Sequence, residues 1–277
     1  MKGKLYIVGT PIGNLDDMTL RGIKTLKSVD FICAEDTRVT AKLLNSLDIK
    51  KPMISYHEHN AVQAGETIIN RILDGECCAA VTDAGMPCIS DPGEELVKRC
   101  YENGIKVCVV PGPTAAMSAV AISGLSTKRF SFEGFLSTSN KSRREHLKTA
   151  SKLENTLIFY EAPHKLINTL SDMLKFFGDR NISLCREMTK LHEEVIKTTL
   201  SGALEYYKSV TPKGEFVIVV EGAQKTQDDL TIDDAVSEVK KLVNNGMRAA
   251  DACKTVSKWT SCSKSELYSK LLEDKNG

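Results

Sequence analysis

Along residues 4–124, short apolar runs rich in Val and Ile alternate with longer stretches in which apolar positions recur every three or four residues. The runs at 5–9, 31–35, 53–56, 79–82 and 107–110 have the length of buried strands, and the stretches at 19–29, 37–47, 61–73, 94–103 and 114–122 have helical period. This alternation predicts a parallel sheet with helices on both faces. After Gly124 the rhythm changes. Strand-like runs at 130–136, 156–160, 182–186, 195–200 and 216–220 are separated by only two long helices and a short one at 202–208, which predicts a second sheet that is partly antiparallel. From Asp228 onward the stretches 232–243, 249–258 and 265–272 carry helical period. Ser263 with Glu266 forms a capping-box pair for the last of them, and Asn245-Gly246 supplies the turn before the middle one. The expected organisation is an N-terminal α/β domain over 1–124, a C-terminal α/β domain with mixed sheet over 125–224, and a helical, helix-turn-helix-like extension over 228–277.

Composition narrows the class without changing this picture. A length of 277 residues favours two domains over one. The chain is 42% hydrophobic and 26% charged, as in ordinary globular proteins. Its net charge of +1 offers no long-range pull on phosphates, so any nucleic acid must be held by a local patch. The extension has eight Lys/Arg against nine Asp/Glu from Asp228 onward and lacks a basic face, which leaves a packing or dimer-supporting cap and an RNA contact both open. Nine cysteines, an odd number at irregular spacing, read as reduced core residues, with Cys33, Cys108 and Cys185 inside apolar runs. No Cys-x-x-Cys pair or zinc-like spacing occurs, so no metal is expected. With no leader-like start and no 18-residue apolar run, a cytoplasmic protein without a membrane contact is expected.

Open α/β sheets bind ligands beyond the carboxyl ends of their strands. Three strand-following loops there combine Gly with Pro: Gly9-Thr10-Pro11-Ile12-Gly13-Asn14, Asp83-Ala84-Gly85-Met86-Pro87 and Pro111-Gly112-Pro113-Thr114-Ala115-Ala116. Glycine lets backbone approach a ligand and proline fixes the loop's path. Neither the dinucleotide nor the Walker glycine pattern is present, which weighs against those phosphate ligands. Ala34-Glu35-Asp36-Thr37-Arg38 and His57-Glu58-His59-Asn60 follow the second and third strands at the same edge. Such side chains are costly to bury unless paired, so they are expected to line a wet cleft. For Asp36 and Arg38, helix capping with a local ion pair stands beside a functional role. His57 and His59 lack a third ligand, which favours hydrogen bonding over metal binding.

The strings Tyr6-Ile7-Val8-Gly9-Thr10-Pro11-Ile12-Gly13-Asn14-Leu15, Ala34-Glu35-Asp36-Thr37-Arg38, His57-Glu58-His59-Asn60, Asp83-Ala84-Gly85, Ser90-Asp91-Pro92-Gly93, Phe159-Tyr160-Glu161-Ala162-Pro163-His164 and Lys213-Gly214-Glu215-Phe216 resemble in order and spacing the ribosomal RNA small subunit methyltransferase I family, within the tetrapyrrole-methylase-like superfamily. The resemblance runs from about Lys4 to Gly222, and the tail resembles the family's helical extension. It implies a class III methyltransferase-like α/β fold, a homodimer, and S-adenosylmethionine held in a cleft between the two α/β domains. The implied activity is 2′-O-methylation of a cytidine in the decoding region of 16S rRNA in the small ribosomal subunit. Carried over by position, cofactor contacts fall on Pro11, with Thr10 beside it, and on Asp83, Ala84, Gly85, Cys88, Thr114, Ala115, Tyr160 and Met188. Met86, Lys165 and Ser137 depart from the family's usual Thr, Arg and Pro.

A ribose hydroxyl is a poor nucleophile at neutral pH, and the transfer needs a proton acceptor. Asp36 ranks first for that role, with Arg38 orienting it or holding phosphate; Glu35, His57 and Lys190 are the alternatives, the last by analogy with methyltransferases that use a lysine. Lys141, Arg143, Arg144, Lys148 and Lys152 crowd one segment opposed only by Glu145. Phosphate contact is the functional reading of that segment and a solvated helix face the structural one. Two rival readings remain: a porphyrinoid methylase, which has no need of the basic segment, and a ribosome-binding assembly factor that keeps the fold without the activity.

Overall fold

The computed structural model describes residues 3–224, 232–258, 260 and 262–276. Five strands, β1 (Lys4–Val8), β2 (Phe31–Ala34), β3 (Met53–Ser55), β4 (Cys78–Val81) and β5 (Lys106–Val110), form a wholly parallel sheet in the order β3-β2-β4-β1-β5. Successive side chains leave a strand on opposite faces, and helices cover both. Phe31 and Cys33 therefore meet Ile68 and Ile72 of α3 (Ala61–Leu73) and Leu96 and Cys100 of α4 (Glu94–Glu102). Ile32 and Ala34 meet Leu26 of α1 (Leu20–Ser28) and Leu44 of α2 (Thr37–Ser46).

The second sheet is mixed, as the strand spacing predicts. Strands β6 (Phe130–Phe135), β7 (Thr156–Glu161), β8 (Asn181–Arg186), β9 (Glu194–Thr199) and β10 (Phe216–Val220) lie in the order β6-β7-β10-β8-β9, parallel only between β6 and β7. One face packs Leu157, Phe159, Leu184 and Ile218 beneath α6 (Asn140–Ala150), α7 (Leu166–Phe177) and α8 (Leu200–Tyr206). The opposite face, with Ile158, Cys185, Val217 and Val219, is covered by Ala116, Ala119 and Val120 of α5 (Ala115–Ser123), the helix that follows the parallel sheet. The short helix starts at Leu200 rather than at 202, because the Thr199 side chain caps it by accepting the Gly202 N–H at 3.2 Å.

The chain divides into two compact units, Met1–Glu221, which holds both sheets, and Gly222–Gly277. In the second, α9 (Ile232–Asn244), α10 (Ala249–Val256) and α11 (Lys264–Asn276) close around Val236, Val239, Cys253, Val256 and Leu267. The capping box forms: Ser263 N–H donates to Glu266 Oε2 at 2.8 Å and Glu266 N–H to Ser263 Oγ at 3.2 Å. Among the described residues no helix is long and apolar enough to cross a membrane.

Candidate active site

The three glycine-bearing loops come together at the carboxyl end of the parallel sheet. Thr10 N–H donates to the Gly85 carbonyl at 2.9 Å and Gly85 N–H returns to the Thr10 carbonyl at 3.2 Å, a small antiparallel bridge between the loops after β1 and β4. The loops after β1 and β5 touch backbone to backbone. A Cβ on Gly9 would lie 2.7 Å from Gly112 Cα and N and from Met86 Sδ, and one on Gly112 would lie 2.8 Å from Gly9 Cα. Only two glycines permit that approach.

Beside these loops is a cavity of about 440 Å³, a size typical of small-molecule sites. Its walls come from both sheets. Ile12, Ala84, Gly85, Met86, Ile89, Asp91, Thr114 and Ala115 contribute from the parallel half, and Phe135, Tyr160, Met188, Lys190 and Glu215 are among those from the mixed half. Two turns frame it, and both hold non-glycine residues in the left-handed region: Cys88 (φ 71°) and Ser90 (φ 63°) in one, Glu187 (φ 49°) and Thr189 (φ 65°) in the other. Strain of this kind persists where surrounding structure enforces it and concentrates at ligand sites.

Of the residues expected to hold a cofactor, Ala84, Gly85, Thr114, Ala115, Tyr160 and Met188 line the cavity. Tyr160 is fixed by the Ala116 N–H, which donates to its hydroxyl at 3.1 Å, and by edge-on contacts with Phe132 and Phe135 at 4.9 and 5.4 Å. Burial pushes the Tyr160 phenol up. Thr10 is fully buried and its hydroxyl donates to the Thr82 carbonyl at 3.2 Å, so it ties loops together rather than facing a ligand. Pro11 adjoins Ile12 of the wall, and Cys88 lies within the first strained turn. Asp83 adjoins Ala84 of the wall, and its Oδ1 accepts the Asp36 N–H at 3.3 Å.

The residues proposed for proton transfer are placed differently from that expectation. Asp36 is the N-cap of α2: its Oδ1 accepts the Arg38 N–H at 2.8 Å, and the Arg38 guanidinium grips both carboxylate oxygens at 3.1 and 2.6 Å. Those bonds hold its carboxyl far below the usual carboxylate range. A group so stabilised as an anion is a weak proton acceptor. Glu35, pushed up by burial and then by the nearby Asp83, sits with Asp36 and Asp83 on a rim outside the cavity wall. His57 is also off the wall; its N–H donates to Asn60 Oδ1 at 2.9 Å, while its buried Nδ1 has no hydrogen-bond partner among the described residues. Lys190 does line the cavity, but its ammonium is gripped by Glu187 at 3.0 Å and Glu215 at 2.9 Å. Burial alone would lower its pKa, yet the two carboxylates outweigh this and raise it, leaving it charged and unable to accept a proton.

The basic segment forms α6, with Lys152 in the turn beyond its end. Lys141, Arg144 and Lys148 are exposed, as phosphate contact requires. Arg143 departs from that reading, because it is buried against α7, its Nε 2.8 Å from Asp172 and its guanidinium donating to Thr169 Oγ1 at 3.3 Å.

Asp91 is not among the expected site residues, although it stands in Ser90-Asp91-Pro92-Gly93, one of the strings that carry the family resemblance. The structure sets this half-buried carboxyl on the cavity wall and pushes it up to about 6, chiefly by burial and then by the charges of Glu35 and Asp83. Its ordinary value is 3.8, so between about pH 4 and 6 the folded chain binds more protons than the unfolded one and stability falls as pH rises through that window. Asp91→Asn removes this penalty. Allowing for solvent screening of a half-buried group, it is expected to stabilise the ligand-free protein at pH 7 by about 1 kcal/mol. Calorimetry should show a rise in Tm of about 3 °C at pH 7 and little change near pH 4; a lower Tm at pH 7 contradicts the assignment.

A cavity walled by a parallel and a mixed sheet, with glycine loops at one rim, matches a known architecture. Residues 4–204 match the family described as Tetrapyrrole (Corrin/Porphyrin) Methylases. The solved uroporphyrin-III-C-methyltransferase from Thermus thermophilus superposes with a TM-score of 0.57 at 19% identity, over 78% of this chain and 94% of that one. The fold is that of a class III methyltransferase. In sequence the chain is 45% identical to the ribosomal RNA small subunit methyltransferase I of Halalkalibacterium halodurans, over 96% of this chain and 94% of that protein. It is 48% identical to the protein of the same name from Thermotoga maritima, over 80% of this chain and 100% of that one. This chain is a methyltransferase and belongs to the ribosomal RNA small subunit methyltransferase I family.

Proposed function

We propose that the protein uses S-adenosylmethionine to methylate the 2′-hydroxyl of a cytidine in the decoding region of 16S rRNA, acting as a cytoplasmic homodimer on the small ribosomal subunit. The names of its relatives support ribosomal RNA as the substrate. The observation that carries the donor is the cavity. Ile12, Met86, Ile89, Phe135 and Met188 give it apolar walls, and Asp91 with Glu187 and Glu215 gives it an excess of negative charge over Lys190. That combination suits a nucleoside bearing a sulfonium and an ammonium. Bound there, the donor supplies an electrophilic methyl group.

The chain's own part is to hold the acceptor oxygen in line with that methyl in a water-poor space, an effect worth up to about 7 to 11 kcal/mol of barrier. Tyr160, fixed by Ala116, and the loops locked by Gly9 and Gly112 supply rigid walls for it. Lys141, Arg144 and Lys148 on α6 supply phosphate contacts that position RNA without reading its sequence.

Incubation of unmodified small subunits with enzyme and methyl-labelled S-adenosylmethionine tests the proposal. Label is expected on one cytidine ribose. Label on a base, or transfer to a tetrapyrrole in place of RNA, overturns the substrate assignment.

A further inference from the structure

We propose that Asp91 is the group that takes the proton from the attacking hydroxyl, an inference that rests on reading the cavity as the methyl-transfer site. Four carboxylates line that cavity: Asp91, Glu161, Glu187 and Glu215. Three are engaged. Glu161 turns inward, where Thr169 Oγ1 and the Ala162 N–H both donate to it. Glu187 accepts from Lys190 Nζ and from the Glu215 N–H, each at 3.0 Å, and the second carboxylate on Lys190 Nζ is Glu215 at 2.9 Å. Asp91 is held more lightly, by a hydrogen bond from the Thr82 hydroxyl that only partly offsets the effect of burial. Among the described residues no cation pairs with it, and its surroundings are Glu35 at the end of β2, the Thr82 hydroxyl and Asp83 after β4, the Cys88 thiol in its own turn, and Tyr160 on β7.

The turn that carries Asp91 is built tightly. Cys88 and Ser90 are left-handed, and a Cβ on Gly93 would lie 2.7 Å from Cys88 Sγ, which leaves the segment little freedom. The carboxylate is thus presented to the cavity by a strained, packed turn rather than by a mobile loop. The alternatives fail on geometry or charge: Asp36 is clamped by Arg38, Glu35 and His57 are off the wall, and Lys190 is held as an ammonium.

In the reaction the hydroxyl oxygen bonds to the methyl carbon as the carbon–sulfur bond breaks. The bonding pair returns to sulfur, which becomes a neutral thioether, and the O–H proton passes to an Asp91 oxygen and then to water. Burial and the neighbouring Glu35 and Asp83 charges bring the Asp91 carboxyl near the working pH, where a general base is most effective. A bound sulfonium moves it back down, so the acid limb of the reaction should have its midpoint at or below about 6.

Asp91→Asn and Asp91→Glu, with wild type alongside, test the assignment by single-turnover methylation of small subunits, calorimetric titration with S-adenosylmethionine, and thermal melts. For Asp91→Asn the expected result is a rate loss of about 100-fold or more at saturating donor, a donor affinity lower by no more than about tenfold, as the loss of one attractive charge requires, and a melting temperature no lower than wild type. Asp91→Glu is expected to keep part of the rate and to move the midpoint of the pH profile. An Asp91→Asn rate within about threefold of wild type overturns the proposal, as does a loss of donor affinity that matches the loss of rate. Absence of ribose methylation by wild type itself sinks the function proposed above, an outcome separate from either.

Discussion

Gly9→Ala is expected to abolish donor binding, raising the Kd for S-adenosylmethionine at least about 100-fold, and to lower Tm by several degrees. The added methyl would meet the Gly112 backbone and Met86 Sδ at 2.7 Å. The thioether can swing aside, but the Gly112 backbone cannot, because β5 runs directly into it and Gly9 N–H is bound to the Val110 carbonyl at 3.0 Å. Relief requires the loops after β1 and β5 to part, which pulls on the Thr10–Gly85 bridge and spreads the cavity rim. Overpacking of this kind costs about 1 to 3 kcal/mol, and more where backbone must move. Gly112→Ala should behave the same way. Gly104→Ala is the control: its φ is 66°, yet nothing lies within 4 Å of the added atom, so only a local backbone penalty of about 1 kcal/mol is expected and donor affinity should hold. If Gly9→Ala binds the donor normally in a calorimetric titration, the glycine loops do not form its site.

The second large effect separates neighbours on one helix. Replacing Lys141, Arg144 and Lys148 together by Ala is expected to weaken binding to a 16S rRNA fragment by about 100-fold near physiological salt and to flatten the log–log salt dependence by about 2 to 3 units. Arg143→Ala should leave that slope unchanged. It breaks the contact with Asp172 and removes the donor to Thr169, and because Asp172 is partly exposed the stability loss is expected near 2 kcal/mol. Fluorescence anisotropy across a salt series, with thermal melts alongside, distinguishes the two. A salt slope that shifts with Arg143→Ala and not with the triple variant reverses the assignment.

Both sheets were legible along the chain because their strands are apolar runs bounded by turn residues, and the observed ends differ from the expected ones by a residue or two. The mixed character of the second sheet followed from the same spacing. Helix α5 was located, but its role was not. Ala115-Ala116-Met117-Ser118-Ala119-Val120-Ala121-Ile122 is apolar on every side, so periodicity cannot say which face meets what, and its partner strands β7, β8 and β10 lie far along the chain. Arg143 could have been placed: with Leu147 and Ala150 it shares the i, i+4, i+7 face of α6 that is buried, and the positive charge masked that pattern.

At the site, Gly and Pro announced the loops because those residues act on the backbone itself, and the backbone's needs are local. Titration behaviour was not legible, since it depends on which groups tertiary structure brings near. Asp36 carried its own answer in part, an Asp opening a helix two residues before an Arg, the N-cap and ion pair that the structure contains. For Lys190, one clamping carboxylate is three residues away and the other twenty-five. Asp91 owes its elevated carboxyl first to burial that no single segment encodes, and then to Glu35, more than fifty positions earlier.

Helix α5 belongs to two structures at once: Thr114 and Ala115 at its start form cavity wall, and Ala116, Ala119 and Val120 seal one face of the mixed sheet. A jaw-like opening about this helix would strip that sheet of its cover, so donor and spent product should pass without the two halves parting. Occupancy ought then to stiffen both halves in concert, appearing in hydrogen exchange as protection that reaches β8 and β10, strands remote from the glycine rim.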